Sequence, residues 1–145
     1  MEKLEKVFFY HLEKAIKSYR QFAQSQLRKN SFHITVDQWL LLKTLHDEPG
    51  INQIAIAERV FKDKASITRM IQALEESGYI VRDILASDKR QMHLSITPTG
   101  KDLINQITPI VLSYRKAALN GISEQELLIA EKVMKTIAQN SKDNS

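Results

Sequence analysis

The stretch that most constrains the fold runs from Asp63 to Gly100, because it packs four structural signals together with no spare residues between them. Ile67, Met70, Ile71 and Leu74 recur at i, i+3, i+4 and i+7, so one side of a short helix must face a core. Asp63 caps that helix and Gly78 ends it. Tyr79-Ile80-Val81 is apolar and β-prone, Arg82 and Asp83 precede a turn, and Gln91 to Ile96 alternate with the period of a strand that closes the pair through Met92, Leu94 and Ile96. Asp88 and Arg90 then lie at a hairpin tip. Thr97 caps a further helix, with Pro98 in its first turn where a missing N–H costs nothing.

Upstream of this stretch the pattern is helical. Leu4, Phe8, Leu12, Ala15, Tyr19, Phe22 and Ala23 mark one amphipathic helix over about residues 3–28. Thr35 caps a second helix, buried through Trp39, Leu41, Leu42 and Leu45 and stopped by Pro49-Gly50. Asn52 caps a short third helix whose Ile56, Ala57 and Val60 point inward, and Phe61 and Lys62 form the turn into the fourth. Helices three and four are a helix-turn-helix pair. With a basic β-ribbon beside them, the expected fold class is mainly α with a small β-wing, a winged helix-turn-helix lobe over about residues 35–97.

Downstream, Leu103, Ile104, Ile107, Ile110, Val111 and Tyr114 line a fifth helix, and Pro109 within it predicts a kink. Gly121 ends it, and Ser123 with Glu126 forms a capping box for a sixth helix bearing Leu127, Leu128, Val133, Met134 and Ile137. The expectation is one domain over residues 1–145, with flanking helices at about 3–28 and 98–140. Their apolar stripes exceed what one small domain covers, which predicts a homodimer through the first, fifth and sixth helices.

Charge is unevenly placed. The net charge is +4, yet residues 31–58 carry one basic and four acidic side chains while residues 59–101 carry eight and five. The basic region is the one holding the short helix and the ribbon. There are no cysteines, which excludes disulfides and a thiol-based peroxide sensor. The histidines, His11, His33, His46 and His93, lack i, i+4 spacing, so no metal and no cofactor is expected. The charged N-terminus and the absence of a long apolar run predict a cytoplasmic protein. No glycine-rich phosphate loop, Ser-His-Asp set or convergent carboxylate pair appears, which argues against an enzyme.

On the fourth helix the face opposite the core is set by geometry. Ala65, Arg69 and Gln72 point away from it, with Ser66 and Thr68 on the flanks and Lys64 in the first turn. Small residues let a helix approach bases closely, hydroxyls bond to base edges or phosphates, and Arg69 can reach phosphate or guanine. The partner expected is double-stranded DNA. The alternative is a winged-helix protein-interaction module without DNA binding; a module of that kind has no need of exposed Lys64, Thr68, Arg69 and Arg90.

The run from Ile34 to Gly100 resembles the MarR (multiple antibiotic resistance regulator) family. The resemblance rests on Thr35, Gln38-Trp39, Pro49-Gly50, Ile67-Thr68-Arg69, Gly78-Tyr79-Ile80 and a wing pattern of Asp88, Arg90, Thr97 and Gly100. Ile96 stands where leucine is usual, and Lys89 where arginine is frequent. The resemblance implies a ligand-responsive repressor acting as a homodimer on a pseudo-palindromic operator. It places Lys64, Ser66, Thr68 and Arg69 at the major groove, and Arg90 in the minor groove, oriented by Asp88 and flanked by Lys89. It also implies a small aromatic or phenolic anion as effector, for which Tyr10, His11, Lys14, Trp39 and His46 are the candidate lining residues.

Overall fold

Side-chain caps place most of the helix boundaries. The computed structural model describes residues 1–84 and 92–145. A 3-10 turn at Leu4–Lys6 leads into α1 (Phe8–Lys29), which has no side-chain cap. Thr35 and Gln38 form a reciprocal capping box, Gln38 N–H donating to Thr35 Oγ1 at 3.0 Å and Thr35 N–H to Gln38 Oε1 at 2.9 Å, and this opens α2 (Val36–Asp47). Asn52 accepts from Ala55 N–H to start α3 (Gln53–Val60), and Asp63 accepts from Ser66 N–H at 2.7 Å to start α4 (Lys64–Glu76). Such caps satisfy N–H groups that a helix leaves without internal partners.

The ribbon consists of β1 (Ile80–Ile84) and β2 (Met92–Ile96), antiparallel, with Ile80 opposite Ile96 and Arg82 opposite Leu94. α5 (Pro98–Ala118) follows at once and runs through Pro109, so the proline does not end the helix. α6 (Glu124–Asp143) opens on the Ser123–Glu126 capping box expected from the sequence.

Contacts divide the chain into two units, residues 1–114 and 115–145. The first unit holds the core. Leu27, Leu41, Leu42, Ile56, Ile67, Ile71, Leu74 and Ile107 are the largest side chains fully removed from water, each contributing roughly 1.5–3 kcal/mol of burial. Tyr114 closes one side of this core, edge-on to Tyr19 with ring centres 5.9 Å apart. The stripe of α5 was expected to need a partner chain. Leu103, Ile104, Ile107, Val111 and Tyr114 are instead buried within the first unit, in one cluster with apolar residues of α1, α2 and the lobe.

The remaining stripes behave differently. In α1 only Ala23 and Leu27 are buried, whereas Phe8, Phe9 and Ile16 are exposed. In α6 no residue is buried among the described residues, and Leu128, Ile129, Val133 and Met134 are exposed.

The end of α4, the ribbon and α5 meet at Thr97. Thr97 N–H donates to the Tyr79 carbonyl at 3.0 Å and Thr97 Oγ1 donates to the Gly78 carbonyl at 2.5 Å, while the same Oγ1 accepts from Gly100 N–H at 3.0 Å. A Cβ at residue 100 would overlap the Tyr79 carbonyl oxygen, so only glycine lets the first turn of α5 lie so close to the root of the ribbon.

Candidate nucleic-acid interface

The two faces of α4 differ completely. Ile67, Ile71 and Leu74 are buried and Met70 is packed against them, which turns Lys64, Ala65, Thr68, Arg69 and Gln72 to solvent, with Ser66 half-buried at the edge. These six are the residues expected from the sequence to read DNA.

Their contacts hold the face in order. Thr68 Oγ1 donates to the Lys64 carbonyl at 2.9 Å and accepts from Gln53 Nε2 at 3.0 Å, so the start of α3 braces the middle of the exposed face. Arg69 Nη2 lies 3.3 Å from Ser66 Oγ, and Gln72 Nε2 donates to Glu76 Oε1 at 3.4 Å. The Asp63 carboxyl is held below the usual carboxylate range, first by hydrogen bonds from the backbone and side chain of Ser66 and then by the charge of Arg69. It therefore stays ionised at neutral pH and pins the first turn of α4.

Two ionic contacts set the helix-turn-helix against its neighbours. Asp37, in the first turn of α2, pairs with Arg20 of α1 and, at 3.2 Å, with Lys62 in the turn between α3 and α4. Arg82 of β1 pairs with Glu75 near the end of α4, tying the ribbon to the exposed helix. Sequence reading took Lys62 as turn only and missed Gln53, Arg20 and Asp37. Gln53 was accessible in principle, since the first residue after a cap projects beside the cap; the Asp37 pairings join residues far apart in sequence and leave no local signal.

The wing tip residues Asp88, Lys89 and Arg90 lie outside the described residues. The effector candidates are placed on separate parts of the first unit. Tyr10, His11 and Lys14 are exposed on the first turns of α1, with His11 Nε2 within 2.6 Å of the Glu5 carbonyl. Trp39 is in the core, and its buried Nε1–H has no acceptor among the described residues. His46 is exposed on α2, near Asp47, and lines a cleft of about 300 Å³ with Pro49, His93 and Lys101. Among the described residues no group of three or more His, Asp or Glu is arranged to hold a metal ion, and no helix is long and apolar enough to cross a membrane.

Comparison with known proteins agrees with this geometry. The MarR family model matches residues 34–92. The crystal structure of MarR superposes with a TM-score of 0.75 at 26% identity, covering 99% of this chain and 95% of that one. MepR of S. aureus, solved in complex with DNA, gives 0.82 at 20% identity over 92% and 98% of the two chains. BpsR of Bordetella bronchiseptica, whose DNA binding is regulated by 6-hydroxynicotinic acid, gives 0.85 at 15% identity over 95% and 97%. The family comprises transcriptional regulators rather than enzymes. The segment 34–92 contains α2, α3, α4 and β1, so the match to the MarR family model falls on the winged helix-turn-helix lobe, and the fold of the chain is that of the MarR structures.

Proposed function

We propose that this protein is a MarR-type transcriptional regulator that binds duplex DNA as a homodimer, α4 of each protomer entering the major groove of a pseudo-palindromic operator and the wing, through Asp88, Lys89 and Arg90, reaching the adjacent minor groove. The observation that carries this reading is the exposed face of α4: Lys64, Ala65, Thr68, Arg69 and Gln72 stand clear of the core together, braced by Gln53 and Ser66. The DNA complex of MepR supports the choice of partner. Half-sites centred about 10 bp apart fit a two-fold dimer of such helices. Repression by occupancy of a promoter, in the cytoplasm, is the mode we assign.

A small aromatic or phenolic anion is the proposed effector, bound near Trp39 and the basic side of α1. BpsR, a structural neighbour whose DNA binding is regulated by 6-hydroxynicotinic acid, supports an effector of this chemistry. Release follows as a population shift: an effector preferring the non-binding spacing of the two lobes by about a hundredfold lowers operator affinity by up to about 2.7 kcal/mol.

The test uses operators selected from random duplex DNA and fluorescence anisotropy against salt. Affinity should fall roughly a thousandfold between about 50 and 200 mM salt if about six phosphates are engaged. Absence of salt-sensitive binding to any selected duplex refutes the reading. Quenching of Trp39 by a panel of phenolic and carboxylate compounds, with a matching shift of the binding curve, tests the effector separately.

A further inference from the structure

Phe61 occupies an improbable place for an aromatic residue. It is the C-cap of α3, with φ 58° and ψ 43° in the left-handed region, and the residue is 91% exposed. Glycine suits that backbone without penalty, whereas a bulky side chain there is strained. Exposure of the ring gains nothing for folding either. The backbone turn itself is held, Phe61 N–H donating to the Glu58 carbonyl at 3.4 Å and Lys62 N–H to the Ala57 carbonyl at 3.0 Å, but those bonds need no aromatic side chain, and an exposed ring at such a cap points to a contact outside the chain.

The surroundings say what kind. Phe61, Ile54 (71% exposed) and Ala57 form the apolar wall of a groove of about 630 Å³ along α3. Lys62 and Lys64 stand at its rim, with Glu58 the one carboxylate among the lining residues. Lys62 is tied to Asp37, and Lys64 has no ion-pair partner among the described residues. The groove is continuous with the exposed face of α4: Lys64 belongs to both, and Gln53, at the groove's edge, is the residue that bonds Thr68. A DNA strand presents apolar deoxyribose faces between phosphates, which matches an apolar wall with a lysine rim.

We propose that this groove seats one DNA strand beside the major groove, Phe61 and Ile54 packing on deoxyribose while Lys64 meets a phosphate. The proposal rests on the DNA-binding reading above and adds to it an apolar, sequence-independent contact made by α3 and its turn.

The test compares the full-length wild-type protein with Phe61→Gly, Ile54→Ser and Lys64→Ala on two probes, the selected operator and a random-sequence duplex of the same length. Phe61→Gly removes the ring and relieves the left-handed strain, so its thermal midpoint should be no lower than wild type. It should nevertheless bind both duplexes about fivefold or more weakly. Its salt slope should be unchanged, because an apolar contact releases no counterion, whereas Lys64→Ala should make the slope shallower. Ile54→Ser should follow Phe61→Gly in direction. Equal affinity of Phe61→Gly and wild type overturns the proposal while leaving the DNA-binding reading intact. A loss confined to the operator overturns the deoxyribose assignment by placing the ring on bases. Failure of the wild type to bind either probe removes the reading on which the proposal rests.

Discussion

α5 and α6 carry the same kind of apolar periodicity and have opposite surroundings. Both present hydrophobic residues at intervals of three and four. In α5 Leu103, Ile104, Ile107, Val111 and Tyr114 are buried in one cluster with residues of α1, α2 and the lobe. In α6 the stripe has no buried member among the described residues. A helical period shows that a face needs cover, and only the three-dimensional arrangement shows whether the same chain provides it. The uncovered apolar residues of α6, together with Phe8, Phe9 and Ile16 of α1, are the ones left for a second protomer in the proposed homodimer.

The strongest way to break this comparison is to empty the α5 side. Ile107 is fully buried, and Ile107→Ala should lower unfolding stability by about 2–5 kcal/mol. Because the lost contacts lie within one chain, denaturant titrations at low and high protein concentration should show the same loss. A cost below about 1 kcal/mol would mean that α5 is not the core helix described.

The α6 side should respond in another way. Leu128 is 67% exposed, so Leu128→Glu should leave the secondary structure of the isolated chain intact. It should weaken self-association by about 1–3 kcal/mol. Light scattering over a dilution series measures this directly, and the concentration dependence of the wild-type melting midpoint should diminish in the variant. An unchanged dimerisation constant would show that α6 is not covered by a second protomer through this residue.

The smallest expected effect concerns helix ends in the two regions under acid. Asp63 at α4 and Glu126 at α6 are both held below the usual carboxylate range, each mainly by hydrogen bonds, from Ser66 and Ser123 respectively. A depressed folded-state value means that each carboxylate stabilises its helix at neutral pH and loses that contribution as pH falls through the depressed value. In the single chain α6 lacks buried residues to hold it once its cap is protonated, so on protein diluted until it is monomeric, residue-resolved hydrogen exchange should show α6 opening at higher pH than α4. Simultaneous opening would indicate that the caps do not govern the order.

Much of the fold was legible because its signals are local. The caps at Thr35, Asn52, Asp63 and Ser123 each act within three residues, and the structure places all four at helix starts. The exposed face of α4 was legible for the same reason, since the buried positions of one helix fix the others. Features that depend on distant residues were not. Nothing near Phe61 marks it as a left-handed cap, where glycine would be the ordinary expectation. The brace from Gln53 to Thr68 and the pairing of Asp37 with Arg20 and Lys62 arise only when α1, α2, α3 and the turn meet. Ala57 was expected inside; it is half-buried, packed against the core on one side and lining the apolar groove on the other.

The junction at Thr97 has a mechanical meaning. Three bonds and one glycine contact join the end of α4, the base of the ribbon and the first turn of α5 within four residues. A joint of that kind has no free angle. A tilt imposed on the start of α5 must carry Thr97 with it, and Thr97 holds the carbonyls of Gly78 and Tyr79. The rotation is therefore passed to α4 and to the ribbon together, and in the proposed complex with DNA it would draw both away at once.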